Sequence, residues 1–175
     1  MNKTLTCCFT GYRLQKLPFG ANEEDERCVR LKTLLRETIE KAIKEGYTHF
    51  LSGMATGVDT FAAEIVLSLK EKYPGITLEA AIPCETQADK WHKKYKDRYR
   101  GLLSRCDRQT VLQKEYSADC MMNRNKYMVD RSDAVIAVWD GKPGGTGITV
   151  RYAEGRHKRI VMIDPVTFEI KSSRS

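Results

Sequence analysis

One stretch of the chain decides the fold: Thr48-His49-Phe50-Leu51-Ser52-Gly53-Met54-Ala55-Thr56-Gly57-Val58-Asp59. Its first four residues predict a short buried strand, and its middle carries two glycines. Directly after it, an apolar stripe at helical spacing begins at Phe61. A strand that passes through a glycine loop into a helix is the repeating unit of parallel α/β sheets, so we take this stretch as one such unit.

The same alternation continues along the chain in both directions. The patterns predict strands at Thr4–Phe9, Thr48–Leu51, Thr77–Ile82, Gln109–Leu112, Ala134–Trp139 and Arg159–Ile163, with helical stripes between them. Several strands are continuously apolar, as strands buried on both faces are. We therefore predict a Rossmann-like, doubly wound α/β fold with a mostly parallel sheet and helices on both faces. It should be a single domain over residues 1–175, with a short disordered tail from about 171.

Composition limits the function classes. The chain has 175 residues, 41% of them apolar and 30% charged, which is ordinary for one globular domain. No apolar run is long enough to span a bilayer, and the N-terminus lacks a signal-peptide stretch, so we expect a cytoplasmic protein without a membrane partner. The six cysteines are irregularly spaced without a C-x-x-C pair, which favours buried thiols. The net charge of +7 favours an anionic partner without choosing among nucleotides, nucleic acid and acidic surfaces.

In doubly wound sheets, ligands bind at the loops that follow the strands. The first such loop holds Thr10, Gly11 and Arg13. A glycine there allows close approach of the backbone, and an arginine can reach a phosphate. The alternative is a simple turn with an exposed arginine.

The second loop holds Ser52, Gly53, Gly57 and Asp59 at the start of a helix, where free N–H groups and the helix dipole favour an anion. Its glycine spacing matches neither a dinucleotide-binding fingerprint nor a Walker loop. Asp59 has two interpretations: it stabilises the first helical turn, or it accepts hydrogen bonds from ligand hydroxyls. Both stay open at this stage.

The third loop holds Asp140, Gly144, Gly145 and Thr146. Four glycines within residues 141–147 predict a loop that could cradle a phosphate, with a flexible surface loop as the alternative. Two glycine-rich junctions in one small domain favour a phosphate or nucleotide site. We expect Gly53→Val and Gly145→Val each to remove ligand binding without unfolding the domain.

A basic segment over residues 90–108 is interleaved with Trp91, Tyr95 and Tyr99. Such a mixture can bind single-stranded nucleic acid. Because the aromatic residues recur every four positions, we interpret them as a core-facing stripe and the charges as a solvated face. The three histidines lack metal-ligand spacing, and no catalytic triad is evident, so we expect neither a metal nor a cofactor.

The glycine loops carry a resemblance to a known family. Ser52–Asp59 resembles the S-G-x-A-x-G-x-D element of the DprA/SMF proteins, and Gly144–Thr149 resembles the second half of the same fold. Phe9–Arg13 and the compact length resemble the YpsA-like branch of this superfamily, called SLOG. The resemblance implies a non-catalytic domain that binds or senses a nucleotide or nucleotide-derived ligand. A homo-oligomer is an open alternative, because related folds often dimerise.

The superfamily also includes the LOG phosphoribohydrolases, which cleave the base from a nucleoside monophosphate. The segment from Arg124 to Ala134 is similar to theirs, but Val150 stands where the LOG pattern has a catalytic glutamate. The resemblance makes Arg124 a candidate catalytic residue of an N-glycosidase, and Glu154, one helical turn beyond Val150, is a candidate substitute for the missing glutamate. A DprA-like single-stranded DNA binder is a further alternative.

Overall fold

The polypeptide forms seven strands and five α-helices in the computed structural model, which describes residues 3–173. In chain order the elements are β1 (Leu5–Gly11), a 3₁₀ turn (Leu14–Lys16), α1 (Glu26–Lys44), β2 (Tyr47–Ser52), α2 (Val58–Leu69), β3 (Thr77–Ile82), α3 (Lys93–Arg105), β4 (Arg108–Val111), α4 (Cys120–Asp130), β5 (Ala134–Val138), α5 (Gly145–Gly155), β6 (Arg159–Ile163) and β7 (Ile170–Ser173).

The strands form one sheet in the order β4-β3-β2-β1-β5-β6-β7. Strands β1 to β6 run parallel, and β7 pairs antiparallel with β6 at the edge. The predicted α/β fold with a mostly parallel, doubly wound sheet is confirmed. The predicted bounds of β3 and β6 are also confirmed: β3 ends directly before Pro83, and β6 ends directly before Asp164 and Pro165.

Two hydrophobic cores lie on opposite faces of the sheet. On β1, alternate side chains enter different cores: Cys7 and Phe9 pack with α1, α2 and α3, while Cys8 packs with α4 and α5. This alternation follows from the two-residue period of a strand. All six cysteines are free thiols, and five of them are buried. Between residues 3 and 173, no helix combines the length and apolarity needed to cross a membrane.

Three local predictions are wrong. Strand β1 extends past Phe9 because Thr10 and Gly11 pair with β5, so these two residues belong to the strand and not to a loop. Helix α5 begins at Gly145, within the segment predicted to be irregular. Residues 171–173 lie in β7, whereas the prediction made them part of a disordered tail; residues 174 and 175 lie outside the described range.

The aromatic stripe of the basic segment is only partly core-facing. Leu102 is the buried residue of α3, whereas Tyr95 and Tyr99 are half-buried. Trp91 is also half-buried and precedes the helix, which begins after His92. The aromatic residues therefore line a surface groove as well as packing against the core.

Candidate ligand-binding cleft

The strand order places a crevice between the carboxyl ends of β1 and β5. The chain leaves β1 toward β2 on one side and leaves β5 toward β6 on the other, and ligands bind at such switch points. A cleft of about 460 Å³ opens here. Its walls come from the end of β1, the 3₁₀ turn, α4 and the start of α5, and they include Thr10, Gly11, Arg13, Gln15, Lys16, Asp59, Met121, Arg124, Asn125, Gly145 and Thr146.

The N-terminus of α5 faces this cleft. Gly144 is the N-cap residue, with φ at 150°, and it offers no side chain to cap the helix. Within the described chain, the backbone N–H groups of Gly145, Thr146 and Gly147 donate to no protein acceptor. Gly145 is exposed, and a Cβ added there would meet no heavy atom within 4 Å. An uncapped, accessible helix N-terminus is a place where anions bind.

Two exposed cationic side chains, Lys16 and Arg13, line the same cleft, and Lys16 reaches the N-terminus of α5. Lys16 Nζ is close enough to α5 that a Cβ added at Gly144 would lie 2.8 Å from it. Neither Lys16 nor Arg13 forms an ion pair with any acidic residue in the range 3–173. A cation beside the positive end of a helix dipole is unfavourable by itself, so an anion between them would be stabilised by both.

Arg124 of α4 forms part of the floor and is almost fully buried, with 3% of its surface exposed. Its Nη1 donates to the carbonyl oxygen of Gly53, and its Nε donates to Asn125 Oδ1 at 2.8 Å. Weaker contacts at 3.4 Å reach the Ala81 carbonyl and Gln87 Oε1. Burial lowers the pKa of Arg124, while the nearby charge of Asp59 opposes that shift. The guanidinium therefore ties α4 to the loop between β2 and α2.

Asp59 is the acidic residue among the described side chains that line the cleft. It lies in the first turn of α2 and is 7% exposed, and its Oδ2 accepts the N–H of Ala55 at 3.3 Å. Burial raises the pKa of Asp59, and the positive charge of Arg124 counteracts this. Its position is compatible with both interpretations from the sequence, because the carboxylate stands in the first turn of α2 and also lines the cleft.

Ala55 of the β2–α2 loop also lines the cleft, whereas the predicted site residues Ser52, Gly53 and Gly57 do not. Ser52 is fully buried, and its hydroxyl bonds the carbonyl of Asp59 and the N–H of Met54. A Cβ at Gly53 would lie 2.5 Å from Arg124 Nη1 and 2.8 Å from Asp59 Oδ2. Gly57 has φ at 90°, and a Cβ there would lie 2.5 Å from a backbone oxygen of the β1 loop. These residues are required for close packing of the floor.

Asp140 stands beside the cleft rather than in its lining. Its carboxylate accepts a hydrogen bond from the hydroxyl of Tyr12, which does line the cleft. Burial and this carboxylate together raise the pKa of Tyr12 to about 12, so the phenol stays protonated at neutral pH. The pair connects the loop after β1 to the loop after β5.

Glu154 is not brought to the cleft. It is exposed near the C-terminal end of α5, nine residues beyond Gly145, which corresponds to about 13 Å along the helix axis. Val150, one turn closer, is fully buried in the second core. The structure therefore does not bring Arg124 and Glu154 together, as the alternative of a hydrolase would require.

The sequence analysis missed several residues of the lining. Gln15 and Lys16 enter it because a 3₁₀ turn follows Arg13 and folds back toward α5. Met121 and Asn125 lie on the same face of α4 as Arg124, and their helical spacing was the signal that could have identified them.

Comparison with known proteins identifies the family. A sequence profile described as the YspA SLOG family matches residues 7–168. The chain belongs to the YspA SLOG family. It is 33% identical to the SPbeta prophage-derived protein YoqJ of Bacillus subtilis over 139 residues, which cover 72% of this chain and 81% of that protein. It is 26% identical to a UPF0398 protein of Bacillus pumilus over 140 residues, with 78% and 74% coverage.

Two solved structures share the fold of this SLOG domain. DNA processing protein A (DprA) from Streptococcus pneumoniae superposes with a TM-score of 0.60 at 17% identity, over 91% of this chain. DprA from Helicobacter pylori, solved to describe its single-stranded DNA binding mode, superposes with a TM-score of 0.58 at 19% identity, over 90% of this chain. The chain spans 50% and 64% of those two DprA chains, so they show its fold alone.

Proposed function

We propose that this SLOG domain binds a nucleotide or nucleotide-derived ligand in the cleft, through a phosphate group, without cleaving it. The observation that carries the proposal is the uncapped N-terminus of α5, which lies beside Lys16 and borders the same cleft as Arg13 at the switch point of the sheet. Three cations line the described cleft (Arg13, Lys16 and Arg124) against one carboxylate. This charge balance favours an anionic ligand.

The position of Asp59 supports a nucleotide over a bare phosphate. A carboxylate repels phosphate but accepts hydrogen bonds from the hydroxyls of a ribose, as acidic residues do in dinucleotide-binding folds. Asp59 lies at the floor, whereas the helix N-terminus forms a wall. A ligand with a phosphate at the wall and a sugar over the floor would satisfy both.

The alternative of a phosphoribohydrolase finds little support. Its candidate pair is separated, because Arg124 lies in the floor and Glu154 is exposed toward the far end of α5. Among the described residues, Asp59 is the remaining acidic group at the cleft, and its carboxylate already accepts the backbone N–H of Ala55. We therefore propose binding without catalysis.

Single-stranded DNA is a second candidate ligand, because α3 and its preceding turn present half-buried aromatic residues among lysines and arginines. Stacking and charge of this kind bind single strands with strong salt dependence. The fold shared with DprA is compatible with this candidate.

The test is a thermal-shift screen of the purified protein against nucleotides, NAD-related compounds, cyclic dinucleotides, ADP-ribose derivatives and a single-stranded oligonucleotide, followed by mass analysis of each mixture. A ligand at a hundredfold excess over its Kd should raise the Tm by roughly 5 to 10 °C and emerge intact. A cleaved ligand would contradict the non-catalytic proposal. A shift with the oligonucleotide alone would favour the second candidate.

Two glycines of the same helix provide a matched pair of variants. Gly145→Val places a side chain at the open N-terminus of α5, and Gly155→Val does the same at the other end, where a Cβ also meets no heavy atom within 4 Å. Both variants should fold, and only Gly145→Val should lose the ligand. Gly53→Val is not a usable probe, because its side chain would collide with Arg124 and Asp59, so our expectation that it leaves the fold intact is withdrawn.

A further inference from the structure

A second groove adjoins the cleft on the side of α3. It has a volume of about 400 Å³ and shares two residues, Arg13 and Gln15, with the lining of the cleft. Its other walls come from residues 14–21, the β2–α2 loop and the turn before α3: Leu14, Gly20, Ala21, Thr56, Lys90, Trp91, His92 and Tyr95. The two cavities are therefore neighbours that meet at Arg13 and Gln15, whose side chains are exposed.

The groove presents an aromatic wall that is held in place. Trp91 is half-buried and packs edge-to-face on Tyr99, with ring centroids 5.3 Å apart. Two hydrogen bonds fix the turn before α3. The backbone N–H of Trp91 donates to the Ala88 carbonyl, and His92 Nδ1 caps the helix by accepting the backbone N–H of Lys94. Tyr95 forms the neighbouring part of the wall. A pre-positioned aromatic surface of this kind binds flat rings by stacking.

The polar groups of the groove also suit a nucleobase. In the described chain, no acidic residue lines it, while Arg13, Lys90 and His92 stand at its margin. The Gln15 amide and the Thr56 hydroxyl can each donate and accept hydrogen bonds, as base edges require. An alkyl chain or a peptide carboxylate would use only one of these features, whereas a base uses the aromatic wall and the amide together.

We infer that this groove is the base-binding subsite for the nucleotide whose phosphate binds at the N-terminus of α5. The inference rests on the proposed function and specifies it: the ligand is a nucleoside phosphate that passes Arg13, with its phosphate in the cleft and its base against Trp91 and Tyr95. Arg13 lies between the two parts, where its guanidinium can contact the phosphate or ribose. Affinity then comes from the base as well as from the phosphate.

The experiment compares ligands that differ only in the base. Binding of AMP, GMP, CMP, UMP and ribose 5-phosphate is measured by calorimetry on the whole chain, on Trp91→Leu and on Gly145→Val. Tyr116→Leu is the matched control, because Tyr116 is an exposed aromatic residue outside both cavities. Trp91→Phe keeps an aromatic ring and tests whether Trp91→Leu acts through stacking or through loss of packing on Tyr99.

At least one nucleoside monophosphate should bind more tightly than ribose 5-phosphate. Trp91→Leu should weaken that nucleotide on the order of tenfold and leave ribose 5-phosphate unchanged, and Trp91→Phe should recover most of the loss. Gly145→Val should lose both ligands, and Tyr116→Leu neither. Equal binding of nucleotides and ribose 5-phosphate, or unchanged nucleotide binding by Trp91→Leu, would overturn the base subsite while leaving the phosphate site intact.

Failure of the proposed function has a different signature. If neither ribose 5-phosphate nor any nucleotide binds the unmodified chain, the phosphate site itself is refuted and the base subsite falls with it. An oligonucleotide that binds more tightly than every mononucleotide, and that is weakened by Trp91→Leu, would overturn the small-ligand assignment in favour of a single-stranded nucleic acid.

Discussion

Replacement of Arg124 by methionine should test whether the floor of the cleft supports the fold. Methionine keeps much of the length of the side chain but removes the charge and the donors. Two hydrogen bonds from a charged donor, to Gly53 and Asn125, are lost in a buried site. At about 1.5 to 3 kcal/mol each, their loss predicts a decrease in the free energy of unfolding of roughly 3 to 6 kcal/mol.

The decrease in the free energy of unfolding caused by Arg124→Met should depend on pH, because Asp59 can be protonated. Burial already raises the pKa of this carboxyl, and the charge of Arg124 holds it down, so removal of Arg124 should raise it further. A carboxyl whose pKa is higher in the folded state than in the unfolded state destabilises the fold when it ionises. The deficit of Arg124→Met should therefore be largest at neutral pH and smaller as the pH falls and Asp59 becomes protonated. Adding Asp59→Asn should recover part of it.

The assay is urea unfolding followed by far-UV circular dichroism at several pH values, for the single variants and for the double variant. Arg151→Met is the control, because Arg151 is an exposed arginine on α5 and should change stability by no more than about 0.5 kcal/mol. If Arg124→Met does not fold, Arg124→Lys takes its place. An Arg124→Met protein as stable as the control, or a deficit that does not vary with pH, would refute the reasoning.

Two further predictions concern charge. Although burial opposes the shift, three side-chain hydrogen bonds, including one from His49, lower the pKa of Glu79 from 4.5 to about 2. This lowered pKa adds about 3 kcal/mol to the free energy of unfolding above pH 4.5, and that contribution is lost as the pH falls toward 2. The free energy of unfolding of Glu79→Gln, measured with urea, should therefore fall less steeply with decreasing pH. The double variant Arg13→Ala/Lys16→Ala should weaken ribose 5-phosphate binding several-fold and reduce its salt dependence, measured by calorimetry at low and high salt; an unchanged salt dependence would place the anion elsewhere.

The central strands could be predicted from the sequence because burial on both faces leaves a strong mark. Residues 134–138 are all apolar and all buried, which is the pattern expected for the middle of a parallel sheet. Strand β7 could not be predicted, since its four residues are exposed and form a strand only because β6 offers a free edge. Helix α5 starts earlier than its glycines suggested because tertiary contacts hold its first turns, including the bond from Asn125 to Thr149.

The site was predictable in outline and not in detail. A glycine loop after a strand indicates where backbone can approach a ligand, and this led to Gly145 and Thr146, which line the cleft. The same argument led to Gly53 and Gly57, whose lack of a side chain instead allows the floor to pack. Sequence spacing cannot distinguish these two uses of glycine. It also gave no indication that Lys16 approaches α5, because that proximity depends on how two distant segments dock.

The anchoring of Arg124 separates the positions of this chain that tolerate substitution from those that do not. Substitutions in the buried floor should lower the stability of the protein. Substitutions at the rim residues Gln15, Lys16 and Gly145 should change stability little, because these residues are exposed. Substitutions at the rim of the proposed site can therefore change its chemical groups while the scaffold keeps its shape. For an engineer, the same separation means that libraries restricted to the rim should yield folded proteins with altered ligand preference.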